Sequence, residues 1–287
     1  MPQLTDRPVV AIGQQNTLRV IRQREVGVFL DGGVFGSILL PQRYVAEGCQ
    51  EGDLVDVFVY LDSEDQMIAT TEQPDLMVGQ FGCLKVAELS PVGAFLDWGL
   101  PKDLLLPFSE QRHPAEEGKR YLVRVYLDNT NRIAATTKLD KFLDLQSADY
   151  RRHQKVELII AERTELGYKA IINQSHWGLI HHQDLFQSLT FGQSISGFIK
   201  QQRPDGKIDI LLEEPGYAPV GDLTEQVLQR LEKAGGFLPL SDRSSPELIS
   251  AEFGVSKKKF KMAIGSLYKQ RQIEISPDGI RLVSVAP

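Results

Sequence analysis

Two stretches in the later half of the chain hold the residue types that meet a polyanion. "SKKKFK" sets Lys257, Lys258, Lys259 and Lys261 around the opening of a predicted helix, whose free backbone N–H groups add their own attraction for anions. Upstream, Lys169, Trp177, His181 and His182 fall on predicted strands, and Lys200, Arg203 and Lys207 flank a predicted hairpin. Lysine and arginine neutralise phosphates and release counterions. An aromatic ring offers a stacking face worth about 1–3 kcal/mol per base, whatever the base. Phe95 is a further stacking candidate, as is Phe29; on an alternating strand one parity points outward and the other into the core. Trp98, in the bend that follows, fits either a base contact or a plug for the domain core.

Other chemistries find little support. His181 and His182 suggest a metal, but neighbours on a strand face opposite ways and no third ligand stands nearby. The chain has no serine nucleophile elbow, no Walker loop and no zinc pair. Gly32-Gly33 reads as a turn, because no Lys-Ser/Thr follows it. A non-enzyme without metal or cofactor is expected. Cys49 and Cys83 have no metal-type spacing and form no disulfide framework, which fits a reducing cytosol. The opening "MPQLTDRPVV" lacks a signal-peptide pattern, and no apolar run reaches the roughly 18 residues of a spanning helix. A cytoplasmic protein with no membrane partner is the expectation.

The net charge of −6 is unevenly spread. Residues 1–73 hold five basic against eleven acidic side chains, whereas residues 216–287 hold ten against eight. A polyanion should therefore avoid the beginning of the chain and favour its end.

What positions these residues is a repeat. "VGVFLD" at Val26–Asp31 returns as "VGAFLD" at Val92–Asp97. Leu40-Pro41, Glu51-Gly52, "VYLD" at Val59 and "IATT" at Ile68 all find partners at the same offset of 66 residues, without a gap. A third copy, with an insertion, carries "LGYKAIIN" from Leu166, "GLIHHQDLF" from Gly178 and "SISGFIKQQ" from Ser194. Within a unit, Val55, Val57, Val59 and Leu61 alternate with polar and aromatic residues, so one buried strand face is predicted. Arg203-Pro204-Asp205-Gly206 is a turn, with proline and glycine where each is tolerated. About five short strands in roughly 65 residues must close on themselves to hide their edges, and a Greek-key barrel does so.

Beyond Pro219 the period becomes helical. Asp222 and Glu225 form a capping-box pattern ahead of an apolar stripe of Leu223, Val227, Leu228 and Leu231. Ser245 and Pro246 open a second helix, Gly254 turns the chain, and Ser256 caps a third with Phe260, Ile264 and Leu267 inward. A hairpin around Ser276–Gly279 completes a winged helix-turn-helix. The predicted architecture is mainly β with a C-terminal α/β domain: three tandem small OB barrels over 1–73, 74–140 and 141–215, then a winged helix over 216–287.

These motifs resemble the S-one domain, the RNA-binding OB barrel of ribosomal proteins, whose signature is Gly-Ala-Phe-Val followed by Gly-Leu-Val-His-Ile-Ser. The second unit carries the first half as Gly93-Ala94-Phe95-Leu96, and the third carries the second half from Gly178 to Gln183. Leu39 and Leu105 stand where the histidine would be, and Lys169 stands at the phenylalanine position. With "LLLP" at Leu104 and "GYKAIIN" at Gly167, three such barrels and a winged helix resemble the bacterial conserved virulence factor B (CvfB) family. That resemblance implies RNA binding and post-transcriptional gene regulation, and the stacking rings and cations suit a single strand bound with weak sequence selectivity. The alternatives are a DNA-binding regulator acting through the winged helix and a protein-interaction scaffold. The acidic first barrel should contribute least to RNA, and should pack on a neighbour or bind a protein.

Overall fold

The computed structural model describes residues 9–62, 64, 66–146, 148–185, 188–213, 220–255 and 257–283. It divides into two units, at 1–143 and 144–287. The first unit holds two barrels. Strands β1 (Gln15–Arg24), β2 (Gly27–Asp31), β3 (Ser37–Pro41), β4 (Leu54–Leu61) and β5 (Met67–Thr70) close in the order β1-β2-β3-β5-β4. A parallel β3–β5 contact at Leu39 and Ile68 closes the ring, and every other pairing is antiparallel. Strands β6 (Phe81–Ser90), β7 (Gly93–Asp97), β8 (Leu104–Pro107), β9 (Arg120–Leu127) and β10 (Ile133–Thr136) repeat the layout as a sheet ordered β10-β9-β6-β7-β8. Its end strands adjoin without a ladder.

Alternation fills each barrel from one face of every strand: Leu18, Val20, Val28, Leu30, Ile38, Leu40, Val57 and Val59 form the first core. In β4 the expected one-sided burial fails, because Val57, Phe58, Val59 and Tyr60 are all buried. Phe58 and Tyr60 turn outward from their own barrel and join the core of the second, with Trp98, Leu100 and Leu104. The Phe58 and Trp98 rings meet edge to face at 5.8 Å. Trp98 Nε1 donates to the Lys102 carbonyl (2.7 Å), and Lys102 Nζ donates to the carbonyls of Leu61 (3.1 Å) and Asp62 (2.7 Å). Trp98 thus plugs a barrel, and the acidic first barrel has a neighbour against which it packs.

In the second unit, β11 (Lys155–Arg163), β12 (Gly167–Ile172), β13 (His176–His181), β14 (Ser194–Gln202) and β15 (Ile208–Leu211) close as β11-β12-β13-β15-β14, the order of the first barrel. The winged helix follows as α1 (Val220–Lys233), β16 (Phe237–Leu238), α2 (Pro246–Phe253), α3 (Lys257–Lys269), β17 (Ile273–Ser276) and β18 (Gly279–Leu282). Its sheet runs β16-β18-β17, and sequence periodicity gave no sign of the two-residue β16. Val227, Leu231, Phe260, Ile264 and Leu267 bury the expected helical stripes, and Ile249 of α2 joins the same core. Ser245 accepts from Leu248 N (3.4 Å) ahead of Pro246, and Gly254 adopts φ +66°. α1 begins at Val220, and the Asp222 side chain, expected from sequence to cap it, lies outside the described residues. Ser256 lies outside the described residues. Among those residues, no helix is long and apolar enough to cross a membrane.

β2, β7 and β12 each open on a glycine, Gly27, Gly93 and Gly167, at φ +142°, +153° and +155°. A Cβ on Gly167 would run into the Ile180 carbonyl oxygen across the β12–β13 pair. This backbone region is essentially closed to other residues. Gly167→Ala is therefore expected to cost about 1–3 kcal/mol of stability, read as a lower urea midpoint. A midpoint equal to that of the wild type would refute the steric argument.

Candidate nucleic-acid interface

Register decides which side chains share the outer face of the third barrel. Lys169 on β12 stands opposite Leu179 on β13, and Trp177 lies two residues along β13. Ala170, Gly178 and Ile180 point into the core, so Lys169, Trp177 and Leu179 point out together. Lys169 Nζ sits 3.7 Å from the centroid of the Trp177 ring. From β14 and the hairpin, Arg203 and Lys207 complete a groove of about 1000 Å³ with Leu166 and Gln202 on its walls. Four of the sequence-predicted residues, Lys169, Trp177, Arg203 and Lys207, are thus brought to one surface.

Beneath the groove lies Asp209, whose side chain is only 3% exposed. It accepts from Arg203 Nε (2.8 Å) and Nη2 (2.7 Å) and from Gln201 Nε2 (2.8 Å). His181 Nε2 lies 2.9 Å from the same carboxylate and 2.9 Å from Arg203 Nη2. Burial alone would raise the Asp209 carboxyl, but the bonds from Arg203, Gln201 and His181 outweigh it. They hold the carboxyl well below the usual carboxylate range. His181 and Arg203 are therefore fixed by an internal network at the edge of the groove. A lone acid within the apolar run "KIDILL", with Arg in the turn before it and His on an adjoining strand, was the sequence signal for it.

His176 is a second residue that sequence reasoning missed. Its Nε2 lies 3.0 Å from the Gln146 carbonyl, which can only accept, so Nε2 carries the proton. Nδ1 lies within hydrogen-bond distance of the Tyr150 hydroxyl (3.1 Å) and the Ser175 hydroxyl (3.0 Å). Asp144 Oδ1 accepts from Trp177 N (3.0 Å). Together these contacts fix the start of β13 and hence the position of the indole. The parity that His176 shares with Gly178 and Ile180 was the available clue.

The remaining candidates lie elsewhere. His182 rests on the Thr164 carbonyl (3.1 Å) with its ring edge-on to Tyr168. Lys200 Nζ donates to Asp184 Oδ2 (2.6 Å). On α3, Lys258 and Lys261 are exposed, while Lys257 and Lys259 are half-buried. Lys259 pairs with Glu213, and Lys261 Nζ lies 3.7 Å from Asp242 Oδ2. Phe29 and Phe95 both point outward, which settles their parity. Arg22 covers the Phe29 ring at 4.4 Å, and Glu88 stands opposite Phe95. Register also corrects the histidine frame. His181 faces Gly167 as Pro41 faces Gly27 and Pro107 faces Gly93, so the prolines, not Leu39 and Leu105, occupy its position. Among the described residues, no three His, Cys, Asp or Glu side chains gather as a metal set.

Family models match the first two barrels and the winged helix. The S1 (S-one) domain model matches residues 12–72 and 78–138, and a CvfB-like winged helix domain matches residues 225–282. The YitL protein of Bacillus subtilis is 28% identical over 274 residues, covering 91% of this chain and 90% of its own. Conserved virulence factor B of Staphylococcus epidermidis is 25% identical over 94% of both chains. A solved multidomain protein with nucleic acid binding domains from Streptococcus pneumoniae aligns over 95% of this chain and 98% of its own, at 23% identity and a TM-score of 0.41.

Proposed function

We propose that this chain, a member of the conserved virulence factor B family, binds single-stranded RNA on the outer face of its third barrel and thereby regulates gene expression after transcription. Its S1 domains and winged helix indicate nucleic-acid binding. The observation that carries the finer reading is the groove in which Lys169, Trp177, Arg203 and Lys207 stand side by side. One ring for stacking, with cations beside it, suits an unpaired strand whose bases are splayed out. A groove of this kind binds rather than transforms, and the reading assigns it no catalytic step. Weak sequence selectivity follows, because every base presents a face to the indole.

Trp177→Ala removes the stacking face and is expected to weaken binding of an oligouridine of about ten nucleotides by roughly 5- to 150-fold, since stacking is worth about 1–3 kcal/mol per base. Fluorescence anisotropy at low salt measures this. Equal affinity for wild type and variant would remove the third barrel from the RNA site. Stronger competition by duplex DNA than by the single strand would favour a DNA-binding regulator instead.

A further inference from the structure

The ammonium of Lys169 already occupies the indole face that a base would use. We propose that Lys169 and a nucleobase exchange on Trp177: the base takes the ring and the displaced ammonium moves to an adjacent phosphate. The proposal rests on the RNA reading above and adds to it a residue that both guards the platform and answers the charge of the incoming strand.

The geometry is that of a diagonal pair across two antiparallel strands, within reach of a long side chain. The ammonium is centred 3.7 Å from the ring, so base and cation cannot share that face. Lysine has a flexible four-carbon stem and a compact charge, which lets it leave one partner for another without moving the backbone. The backbone N–H of Trp177 donates to Asp144 Oδ1 (3.0 Å), which anchors the strand that carries the ring while the lysine moves. The other barrels treat their outward rings differently. Phe29 is covered by Arg22 from the neighbouring strand, whereas Phe95 has the carboxylate of Glu88 opposite it. Only in the third barrel does the cation stand at the position held by the phenylalanine elsewhere, with the aromatic ring moved to the next strand.

An exchange has a salt signature that neither half of it has alone. Each phosphate contact on a single strand adds about 0.7 to the slope of log affinity against log salt. Lys169→Met, which keeps an apolar stem and loses the charge, should therefore have a slope shallower by about 0.7. It should bind more weakly than wild type near 50 mM salt. Near 200 mM, where the phosphate contact is screened and no cation need leave the ring, it should bind up to about twofold more tightly, because a slope difference of about 0.7 over a fourfold change in salt alters the affinity ratio by only about 2.6-fold. The two lines cross. Lys169→Ala should cross in the same way. The measurement is anisotropy of a labelled oligouridine of about ten nucleotides with the full chain across that salt range. Lines that converge without crossing would make Lys169 an ordinary phosphate contact and overturn the exchange. Parallel lines with the variant tighter throughout would make it a simple cover and overturn it equally. Failure of the wild type to bind at the lowest salt would instead bring down the RNA reading, and the exchange with it.

Discussion

Trp98→Ala is expected to lower the stability of the first unit by about 3–5 kcal/mol, the range for deleting a buried aromatic side chain. Trp98 is 3% exposed, and its ring meets Phe58 of the first barrel inside the core of the second. Truncation leaves a cavity that neither barrel can fill by a side-chain shift, because strands on both sides of it are fixed by their ladders. It also removes the bond to the Lys102 carbonyl and loosens the segment from which Lys102 reaches Leu61 and Asp62. Urea unfolding of the full chain, followed by circular dichroism, should show the first unit melting well before the wild type. Phe58→Ala should reproduce most of the loss from the other side of the contact. If both variants kept the wild-type midpoint, the two barrels would not share a core.

The second large effect belongs to Asp209. Asp209→Ala strips a buried carboxylate from Arg203, Gln201 and His181 and should cost the third barrel about 1–3 kcal/mol, the cost of leaving partly buried donors unpaired while water reaches Arg203. Asp209→Asn keeps the shape and loses the charge, and should fall between the variant and the wild type. Acid provides an independent check. The folded carboxyl is held below its ordinary value, near 4 in an unfolded chain, so its contribution is complete at neutral pH. It is lost as the pH falls from about 4 toward the folded value. The stability gap between wild type and Asp209→Asn should therefore be wide at pH 7 and narrow below pH 4, as read from urea midpoints at each pH. A gap that stayed constant would show that charge plays no part.

The features legible from sequence were those with a short period. The 66-residue offset and the two-residue alternation fix five-stranded barrels, and the apolar stripes of Leu223–Leu231 and Phe260–Leu267 fix two helices of the winged domain. Parity then decides which of Lys169, Trp177 and Leu179 share a face, once the register is known. The rest depends on contacts between distant segments. Phe58 and Tyr60 occupy outward positions that sequence assigns to solvent, and only the adjoining barrel buries them. Asp209 stands in the sequence only as a lone acid among apolar residues, and its partners appear once β14 and the turn after it bring Gln201 and Arg203 over it. The misplaced histidine frame has a similar origin, since signature spacing counts residues whereas the ladder pairs Gly167 with His181. Of the proposed interface, four residues converged on the groove; the lysines of α3 are partly engaged with Glu213 and Asp242.

The sequence invites dissection at the junction of the first two repeats, and β4 makes that the wrong place to cut. Phe58 and Tyr60 would leave with one fragment and Trp98 with the other, each an uncovered greasy surface in water. Such fragments would clump, and their silence toward RNA would say nothing about the intact molecule. Deletion studies should move the leading pair of barrels as a single piece.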